Sequence, residues 1–337
     1  MITIDGSAGE GGGQVLRTAL SLSMITGTPF RIEHIRAKRK RPGLLRQHLT
    51  CVTPAAKISG AQVQGAELNS TTVTFEPGAI LGGSYTFAIG TAGATTLVFQ
   101  TVMPALLHAD TASKIEFQGG THNPFAPTFN YLERVFCPLL ARMGAEVALR
   151  LRKPGFYPAG GGAWEAVIAP AKLRPIKIED AGARVSQSLR ADVSVLPYLI
   201  AEREVATALQ LLDWPAECGQ ARTVRADGHG NVLMVEIAHE NVTEVFTGFG
   251  ERGVSSEAVA AGVVDEVRAY LAASAPVGPH LADQLLLPLA LAGGGSFVTG
   301  AVSEHARTNI AVIEKFLVIE FVIEQLDDTR WRLSITR

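Results

Sequence analysis

The stretch MITIDGSAGEGGGQVLRTALSLSMITGTPFRIEHI, residues 1–35, carries the pattern on which the predicted fold depends. An apolar strand at Met1–Ile4 leads into a glycine-rich turn, and Gln14–Ile25 has apolar residues at helical spacing. The helix is expected to stop at Gly27, because glycine is common just beyond a helix C-terminus. A second strand is predicted at Phe30–Ile35. The stretch therefore predicts a β-α-β unit.

The following residues extend this unit into a repeat. A helix is predicted at Leu44–Ile58, and strands at Gln62–Leu68 and Thr71–Phe75, which gives the order β-α-β-α-β-β. The same order recurs over 84–168, and a third copy begins at Arg174–Ile178 and resumes about a hundred residues later. We therefore predict an α/β (α+β) fold in which three β-α-β-α-β-β repeats form a large domain and a small α/β domain is inserted.

The predicted domain boundaries follow from the interruption of the third repeat. The repeats cover about 1–80, 81–170 and 172–181 plus 277–337, so the large domain consists of 1–181 and 277–337, and the insert is 182–276. The insert has no lysine, seven arginines and thirteen acidic residues, so its net charge is −6. The formal net charge of the whole chain is −2, so the rest of the chain has a net charge of +4. We expect any polyanion to bind to the repeats.

The most basic part of the chain is RIEHIRAKRKRPGLLRQH, residues 31–48, with seven Lys or Arg side chains and a single acid. Guanidinium groups beside the N–H groups of a helix N-terminus bind phosphate well. A solvated basic face is the alternative reading of such a charge run. Pro42–Gly43, followed by the apolar helix start at Leu44–Leu45, favours a structured anion site.

The length and composition of the chain indicate a globular protein. The chain has 337 residues, of which 47% are hydrophobic and 18% charged, a composition that supports a sizeable core. Cys51, Cys137 and Cys218 stand apart without a CxxC pair, which predicts reduced thiols and a cytoplasmic location. No secretion signal is recognised at the N-terminus. The uncharged stretch Pro77–Ala109 is broken by glycines and prolines, so no membrane span is predicted.

Several common sites are excluded by the sequence. No Gly-Lys dipeptide exists, so there is no Walker A loop, and Gln14 replaces the last glycine of a GxGxxG pattern after the first strand. HExxH and CxxC zinc motifs are absent. Neither Asp5-Gly6 nor Asp227-Gly228 has a lysine two positions earlier, which disfavours a lysine-adenylate mechanism.

His305 is the strongest single candidate for a catalytic residue. It lies in SEHARTN, Ser303–Asn309, the loop that precedes a helix predicted at Asn309–Leu317. A neutral imidazole at a phosphate site can attack phosphorus and form a reactive phosphoramidate, whereas the alternative is a helix-capping or satisfied histidine. The equivalent loops of the other two repeats hold the basic stretch and GGTHNPFAP, residues 119–127. If the repeats pack around a common axis, we expect these three loops to face one cleft.

Five strings together resemble the RNA 3′-terminal phosphate cyclase family. They are GEGGGQVLRTALSLSMITG (9–27), RPGLLRQHL (41–49), GFYPAGGG (155–162), HLADQLLLPLALAGGG (280–295) and HARTNIAVIEKF (305–316). The similarity covers the repeats, while the insert is similar only in length and position. The resemblance implies an ATP-dependent enzyme that uses a divalent metal, Mg²⁺ or Mn²⁺. It would convert an RNA 3′-phosphate into a 2′,3′-cyclic phosphate through a histidine–AMP adduct and an RNA-adenylate.

The family's functional residues, carried over to matching positions, give the following expectations. His305 would be the adenylated nucleophile. The nucleotide site would contain Gln100, Pro127, His280, Leu281, Ala282, Asp283 and Gln284. The terminal phosphate of the RNA would be held by Arg17, Arg36, Arg39, Arg46 and Gln47. Glu10 would help to place the metal, although an acid at a helix N-terminus also has a purely structural reading. RNA with a 3′-terminal phosphate is the implied partner, and neither a membrane nor an obligate protein partner is implied.

One position departs from the family pattern, and two other functions compete. Family members often have tyrosine where this chain has His280, so we expect nucleotide binding to persist with weaker or more pH-dependent affinity. A non-adenylating, cyclase-like RNA-binding factor in ribosome assembly is the main alternative, although such relatives would be expected to lack the histidine. Enolpyruvyl transferases have similar repeats, but they have no comparable single insert and need no histidine–AMP adduct.

Overall fold

The first repeat forms a four-stranded sheet whose spatial order is first, second, fourth, third strand. The first two strands pair in parallel and the other pairs are antiparallel. The computed structural model describes residues 1–9, 12–90 and 92–336. The elements of this repeat are β1 (Ile2–Asp5), α1 (Gly13–Thr26), β2 (Phe30–Glu33), α2 (Arg46–Ser59), β3 (Gln62–Gln64) and β4 (Val73–Glu76).

The second repeat has the same sheet order and the same strand directions. Its second helix, predicted as one piece at Phe129–Met143, is interrupted by a π-helical turn, where the Cys137 N–H donates to the Leu132 carbonyl. Pro138 follows directly and has no N–H to offer, so the wider turn lies where a regular ladder would be broken. The elements are β5 (Ser84–Ala88), α3 (Thr95–Leu106), β6 (Ser113–Gly119), α4 (Phe129–Tyr131), the π-turn (Leu132–Phe136), α5 (Cys137–Arg142), β7 (Val147–Lys153) and β8 (Gly162–Ile168).

The third repeat is interrupted as predicted and has the same order again. Its short first strand pairs in parallel with a strand more than a hundred residues later, as Lys177 lies opposite Ser296. Three sheets of identical order and direction confirm the repeat that the sequence predicts. The elements are β9 (Lys177–Ile178), then, after the insert, α8 (Pro279–Ala292), β14 (Ser296–Thr299), α9 (Glu304–Phe316), β15 (Glu320–Gln325) and β16 (Trp331–Thr336).

The intervening segment forms a fourth sheet with two helices. Its order is β11-β10-β12-β13, and the parallel edge strand β11 was not predicted. The sequence of this strand, GQART, has few apolar residues and follows a proline-rich turn, so its pattern gives little β signal. The elements are β10 (Arg184–Ser194), α6 (Tyr198–Leu212), β11 (Gly219–Thr223), β12 (Gly230–His239), β13 (Thr243–Phe249) and α7 (Ser256–Ala273).

Glycines end three of the helices as the sequence indicates. Gly27, Gly60 and Gly293 follow α1, α2 and α8 with φ of 67°, 59° and 69°, a left-handed conformation that glycine adopts without steric cost. The string at 155–162 also places Gly160 and Gly161 at positive φ in the connection between β7 and β8, a conformation that favours glycine.

Two groups of buried apolar side chains form the cores. The larger one spans the three repeats and includes Trp164, which is 1% exposed and stacks on Phe117 with ring centroids 4.3 Å apart. The Trp164 indole N–H donates to Thr95 Oγ1 at 2.7 Å, so its polar atom is satisfied inside the core. The smaller group lies within 189–271. The exact domain boundaries given above remain a prediction.

Candidate nucleotide and phosphate site

A cleft of about 730 Å³ lies where the first helices of the three repeats come together. Helices α1, α3 and α8 are equivalent in the repeats, and each lines the cleft with polar side chains, such as Arg17, Gln100 and Asp283. Helix α9 adds His305, and α1 packs against both α3 and α9. Of the predicted site residues, the cleft therefore brings together Arg17, Gln100, Pro127, His280, Asp283, Gln284 and His305.

His305 lies inside the first turn of α9, which corrects the expectation that it precedes the helix. The helix starts at Glu304, and the side chain of Ser303 caps it by accepting a hydrogen bond from the Ala306 N–H at 3.1 Å. A serine followed by an acidic residue is a good N-terminal signal. The predicted start at Asn309 was late because the apolar periodicity becomes clear only there.

Asp283 on α8 orients the imidazole. The Nδ1 atom of His305 lies 3.1 Å from Asp283 Oδ1, and the two side chains are 38% and 12% exposed. Asn309, one helical turn after His305, donates from Nδ2 to the same oxygen at 3.1 Å. The hydroxyl of Thr18 on α1 donates to Asn309 Oδ1 at 2.7 Å, which fixes the amide. Three helices therefore hold the carboxylate that faces the histidine.

Sequence reasoning did not find Asn309 or Thr18 as members of the site. Asn309 stands four residues after His305, a spacing that places both side chains on one helix face. This signal was available once the start of the helix was known. The hydroxyl of Thr18 reaches Asn309 across a sequence separation of 291 residues, and no local pattern predicts such a contact.

The predicted nucleotide residues divide into two groups. Gln100 Nε2 donates to Gln284 Oε1 at 2.6 Å, which joins α3 to α8 in the wall of the cleft. Pro127 and His280 also line it. The side chains of Leu281 and Ala282 are only 0% and 4% exposed and belong to the main core. Neither residue is among those that line the cleft.

The predicted phosphate residues also divide. Arg17 lines the cleft, and its Nη2 donates to Gln14 Oε1 at 2.6 Å. Burial lowers the pKa of the Arg17 guanidinium, while nearby acidic groups, Cys51 and Asp283, act in the opposite direction. Arg36, Arg39, Arg46 and Gln47 are not among the residues that line the cleft.

Arg36 supports the basic loop from within. Its Nη1 donates to the carbonyl of Arg41 at 2.6 Å and to that of Gly43 at 3.1 Å. Its own φ of 55° is unusual for a residue with a side chain, so the loop is held in a specific shape. Arg39 approaches the start of α1, because a Cβ atom on Gly12 would lie 3.9 Å from Arg39 Nη2. The exposed Arg46 and Gln47 begin α2.

His48 lies between these groups. Its Nδ1 accepts a hydrogen bond from the Leu45 N–H at 2.9 Å, and its side chain is buried. Burial lowers the pKa of His48 to about 4, and the charges of Arg36 and Arg17 act in the same direction. The other ring nitrogen faces α1, since a Cβ on Gly13 would lie 2.9 Å from Nε2 and 3.0 Å from Arg17 Nη1. The ring of His48 thus remains neutral and connects α2 with α1 next to Arg17.

The insert supplies one wall of the cleft, which the sequence did not predict. Strand β13 contributes Val245, Thr247 and Phe249, and helix α7 contributes Glu266. The loop before α4 adds Phe125, whose side chain is fully exposed and whose φ is 63°. Loops from the second and third repeats therefore reach the cleft, whereas the basic loop of the first repeat does not line it, and its Arg39 approaches the start of α1.

Metal-binding side chains do not form a dedicated cage in the described residues. No three His, Cys, Asp or Glu side chains within 1–9, 12–90 and 92–336 are placed as they would be around a metal ion. Glu10, the predicted metal residue, lies outside the described residues. Over the same ranges, no helix combines the length and the apolar composition needed to cross a membrane.

The fold and the cleft define a class of protein. An imidazole in contact with a carboxylate, next to the half-buried Arg17 in a polar cleft between repeated α/β units, is suited to binding a phosphate-bearing substrate. Residues 8–323 match the family described as RNA 3′-terminal phosphate cyclase. The chain belongs to this family.

Individual relatives agree with the family match. The chain is 52% identical over 335 residues to the RNA 3′-terminal phosphate cyclase of Ectopseudomonas mendocina (strain ymp), which covers 99% of this chain and 98% of that protein. The protein of the same name from Koribacter versatilis (strain Ellin345) is 51% identical over 327 residues, covering 96% and 92%. The counterpart from Salmonella paratyphi C (strain RKS4594) is 52% identical over 326 residues, covering 96% and 94%.

A more distant likeness was found among solved structures. The enolpyruvyl transferase NikO from Streptomyces tendae aligns with 99% of this chain and 48% of its own, at 12% identity and a TM-score of 0.38. A similarity this weak does not bear on the function.

Proposed function

We propose that this chain catalyses the ATP-dependent conversion of an RNA 3′-terminal phosphate into a 2′,3′-cyclic phosphate, through a covalent histidine–AMP intermediate. Family membership supports the reaction class. The single observation that carries the mechanism is the contact of His305 Nδ1 with Asp283 Oδ1 at 3.1 Å inside a cleft that also holds Arg17.

In the proposed first step, Nε2 of His305 attacks the α-phosphorus of ATP. The new P–N bond forms as the bond to the β-phosphate oxygen breaks, and pyrophosphate leaves. The imidazole gains positive charge during the attack, and the Asp283 carboxylate stabilises that charge through the proton on Nδ1. An orienting carboxylate also fixes the tautomer that leaves the lone pair on Nε2.

In the second step, an oxygen of the RNA 3′-phosphate attacks the adenylate phosphorus, and the P–N bond breaks. The RNA then carries a 3′-phosphoanhydride to AMP, and His305 is regenerated. In the third step, the adjacent 2′-hydroxyl loses its proton and attacks the 3′-phosphorus, and AMP leaves. DNA lacks this hydroxyl, so only RNA can be cyclised.

The remaining residues bind and position the two substrates in this proposal. Gln100 and Gln284 contact the nucleotide, and Pro127 and His280 flank its base. Leu281 and Ala282 are buried in the core and support the first turn of α8 from behind. The RNA phosphate is attracted by Arg17, Arg36, Arg39, Arg46 and Gln47, of which Arg17 lines the cleft together with His305.

The divalent metal of the proposal, Mg²⁺ or Mn²⁺, fits the described residues without a protein cage. Mg²⁺ is usually held by one or two carboxylates together with substrate phosphates and water, so the absence of a three-residue cluster in the described part of the chain is compatible with it. Glu10 is the proposed carboxylate. When bound, the metal offsets charge that develops on the phosphate oxygens.

We also propose that the protein acts in the cytoplasm on RNA ends. The three cysteines, Cys51, Cys137 and Cys218, are all free thiols, which supports a reducing compartment.

The decisive experiment is incubation of wild type and His305→Ala with α-labelled ATP and Mg²⁺ or Mn²⁺, followed by denaturing electrophoresis. We expect acid-labile, base-stable label on the wild type and none on the variant. If the wild type stays unlabelled with either metal, also after addition of a 3′-phosphorylated RNA, the adenylation mechanism is wrong. RNA binding without labelling would instead favour the assembly-factor function.

A further inference from the structure

The insert touches the helix that carries Asp283. Glu244, on strand β13, accepts a hydrogen bond through Oε1 from the main-chain N–H of Gly278 at 2.6 Å. Gly278 is the residue that precedes α8, at its N-cap position. The Glu244 side chain is only 3% exposed, so this contact is shielded from water. Glu244 therefore accepts the hydrogen bond of the N-cap N–H of α8 from the sheet of the insert, 34 positions upstream.

This contact supplies one half of a capping box from outside the helix. In a capping box the N-cap side chain accepts from the N3 N–H, and a Glu or Gln at N3 accepts from the N-cap N–H; Glu244 takes the second role here. Gly278 has no side chain, and a Cβ atom there would lie 3.0 Å from Oε1 of Glu244 and 3.2 Å from its Cδ. The carboxyl group occupies the space that a capping side chain would need, so glycine and glutamate fit together.

The capped helix carries the groups that the cleft requires. Asp283 lies five residues after Gly278 and contacts His305, and Gln284 contacts Gln100. A helix whose start frays loses the position of its first turns, because the first four N–H groups have no partner within the helix. The position of Asp283 therefore depends on how firmly α8 begins.

We propose that Glu244 is a positioning residue through which the insert fixes the start of α8 and thereby aligns Asp283 with His305. This inference rests on the proposed function for its catalytic consequence, but not for its structural part. It gives the insert a role besides forming a wall of the cleft: the insert is coupled to the nucleophile through one buried hydrogen bond.

The protonation of Glu244 supplies an independent signature. Burial raises the pKa of Glu244 to about 8, and the bond from the Gly278 N–H only partly opposes this. The groups packed around it are Tyr131, from the second repeat, and Tyr270, from α7; after burial, the charge of Glu244 is the next cause that raises the pKa of each. Asp283 also acts on Tyr131, and Arg184 acts on Tyr270 in the opposite direction.

The sign of the pH dependence follows. In the unfolded chain Glu244 has its ordinary pKa of 4.5, so between that value and about 8 the folded protein binds a proton that the unfolded protein lacks. The contribution of Glu244 to stability is complete below 4.5 and is lost as the pH rises through about 8. Glu244→Gln cannot ionise, so its free energy of unfolding should rise relative to that of the wild type over this window.

The test compares Glu244→Gln and Glu244→Ala with the wild type and with Glu240→Ala. Glu240 is a matched control, because its Oε2 accepts from the Ala183 N–H at 2.9 Å on the exposed side of the insert, away from α8. Hydrogen exchange of the Gly278 amide and of the amides of 282–284 is measured without any ligand. Loss of a cap corresponds to roughly fivefold faster exchange, which we expect for Glu244→Ala alone. Glu244→Gln keeps the acceptor and should exchange like the wild type.

Labelling with α-labelled ATP then tests the coupling to His305. Glu244→Ala should lower the labelling rate at saturating ATP by about tenfold, with a smaller change in the half-saturating ATP concentration, because the alignment of Asp283 and not the binding surface is altered. Glu244→Gln should retain the wild-type rate at pH 7. Wild-type exchange at 278 and 282–284 in Glu244→Ala would overturn the inference. If no variant and no wild type is labelled, the proposed function fails, while the exchange result still decides whether Glu244 holds α8.

Discussion

The Nδ1 atom of His305 lies 3.1 Å from Oδ1 of Asp283, and the same carboxylate oxygen accepts a hydrogen bond from Asn309. The carboxylate is thus fixed from one side by an amide and presents its charge to the imidazole on the other. Because Asn309 is itself held by Thr18, helices α1, α8 and α9 all contribute to the orientation of one ring.

Replacement of Asp283 by asparagine tests this orientation. Asp283→Asn keeps the size of the side chain but removes the charge that stabilises the imidazolium, and it can favour the wrong tautomer. We expect the rate of self-labelling with ATP to fall by about 100-fold or more, while the protein remains folded. Single-turnover labelling measures this effect. Asp110→Asn, at an exposed acid after α3, is the control and should label normally. Labelling of Asp283→Asn within about twofold of the wild-type rate would contradict the role of the carboxylate.

Arg39 distinguishes the RNA step from the nucleotide step. The residue is exposed, near the start of α1 and outside the lining of the cleft. Arg39→Ala should therefore weaken turnover of a 3′-phosphorylated RNA by about tenfold or more but change self-labelling little, because a charge-assisted phosphate contact is lost. The two rates are measured side by side on the same preparation, with Lys172→Ala as an exposed control. Equal losses in both reactions would count against the assigned role.

His48 predicts how stability changes in acid. Its pKa falls from 6.5 to about 4 on folding, so below 6.5 the unfolded chain takes up a proton that the folded protein excludes. The stability contributed by neutral His48 is complete above 6.5 and is lost as the pH falls through about 4. His48→Gln should show a shallower decrease of the free energy of unfolding over this range, measured by urea unfolding at several pH values.

The control for this experiment is His229→Gln, at an exposed histidine of the insert. His122 also has a pKa of about 4, because it is buried, and it contributes a similar slope that both variants retain. An unchanged slope in His48→Gln would show that the ring is not held neutral.

Much of the fold was predictable because local sequence patterns define the helices and strands of each repeat. Apolar spacing defines α1 and α3, and Gly27, Gly60 and Gly293 mark where helices end. Strand β11 was not predicted because it is a polar edge strand. The π-turn before Pro138 was not predicted because the helical period continues through it. The first turn of α9 was missed because its residues are polar and only the cap at Ser303 signals it.

The site was predictable in its residue types but not in its geometry. His305 and Asp283 are carried by motifs, and the structure places them in contact. The contacts of Thr18 with Asn309 and of Glu244 with Gly278 join distant parts of the chain, and such contacts depend on packing that no local spacing reports. The positive φ of Arg36 and the hydrogen bond of its guanidinium to the Arg41 carbonyl likewise depend on tertiary structure.

The interrupted third repeat has a consequence for the order in which the protein is made. Strand β9 pairs with β14, and Lys177 must wait for Ser296 to be synthesised. The sheets of the first two repeats and of the insert draw all their strands from 2–249, so they can form on the ribosome first. Asp283 and His305, the proposed orienting carboxylate and nucleophile, both arrive afterwards, on α8 and α9. A nascent chain therefore carries the parts of the cleft wall that α1, α3 and β13 supply before this pair of side chains exists.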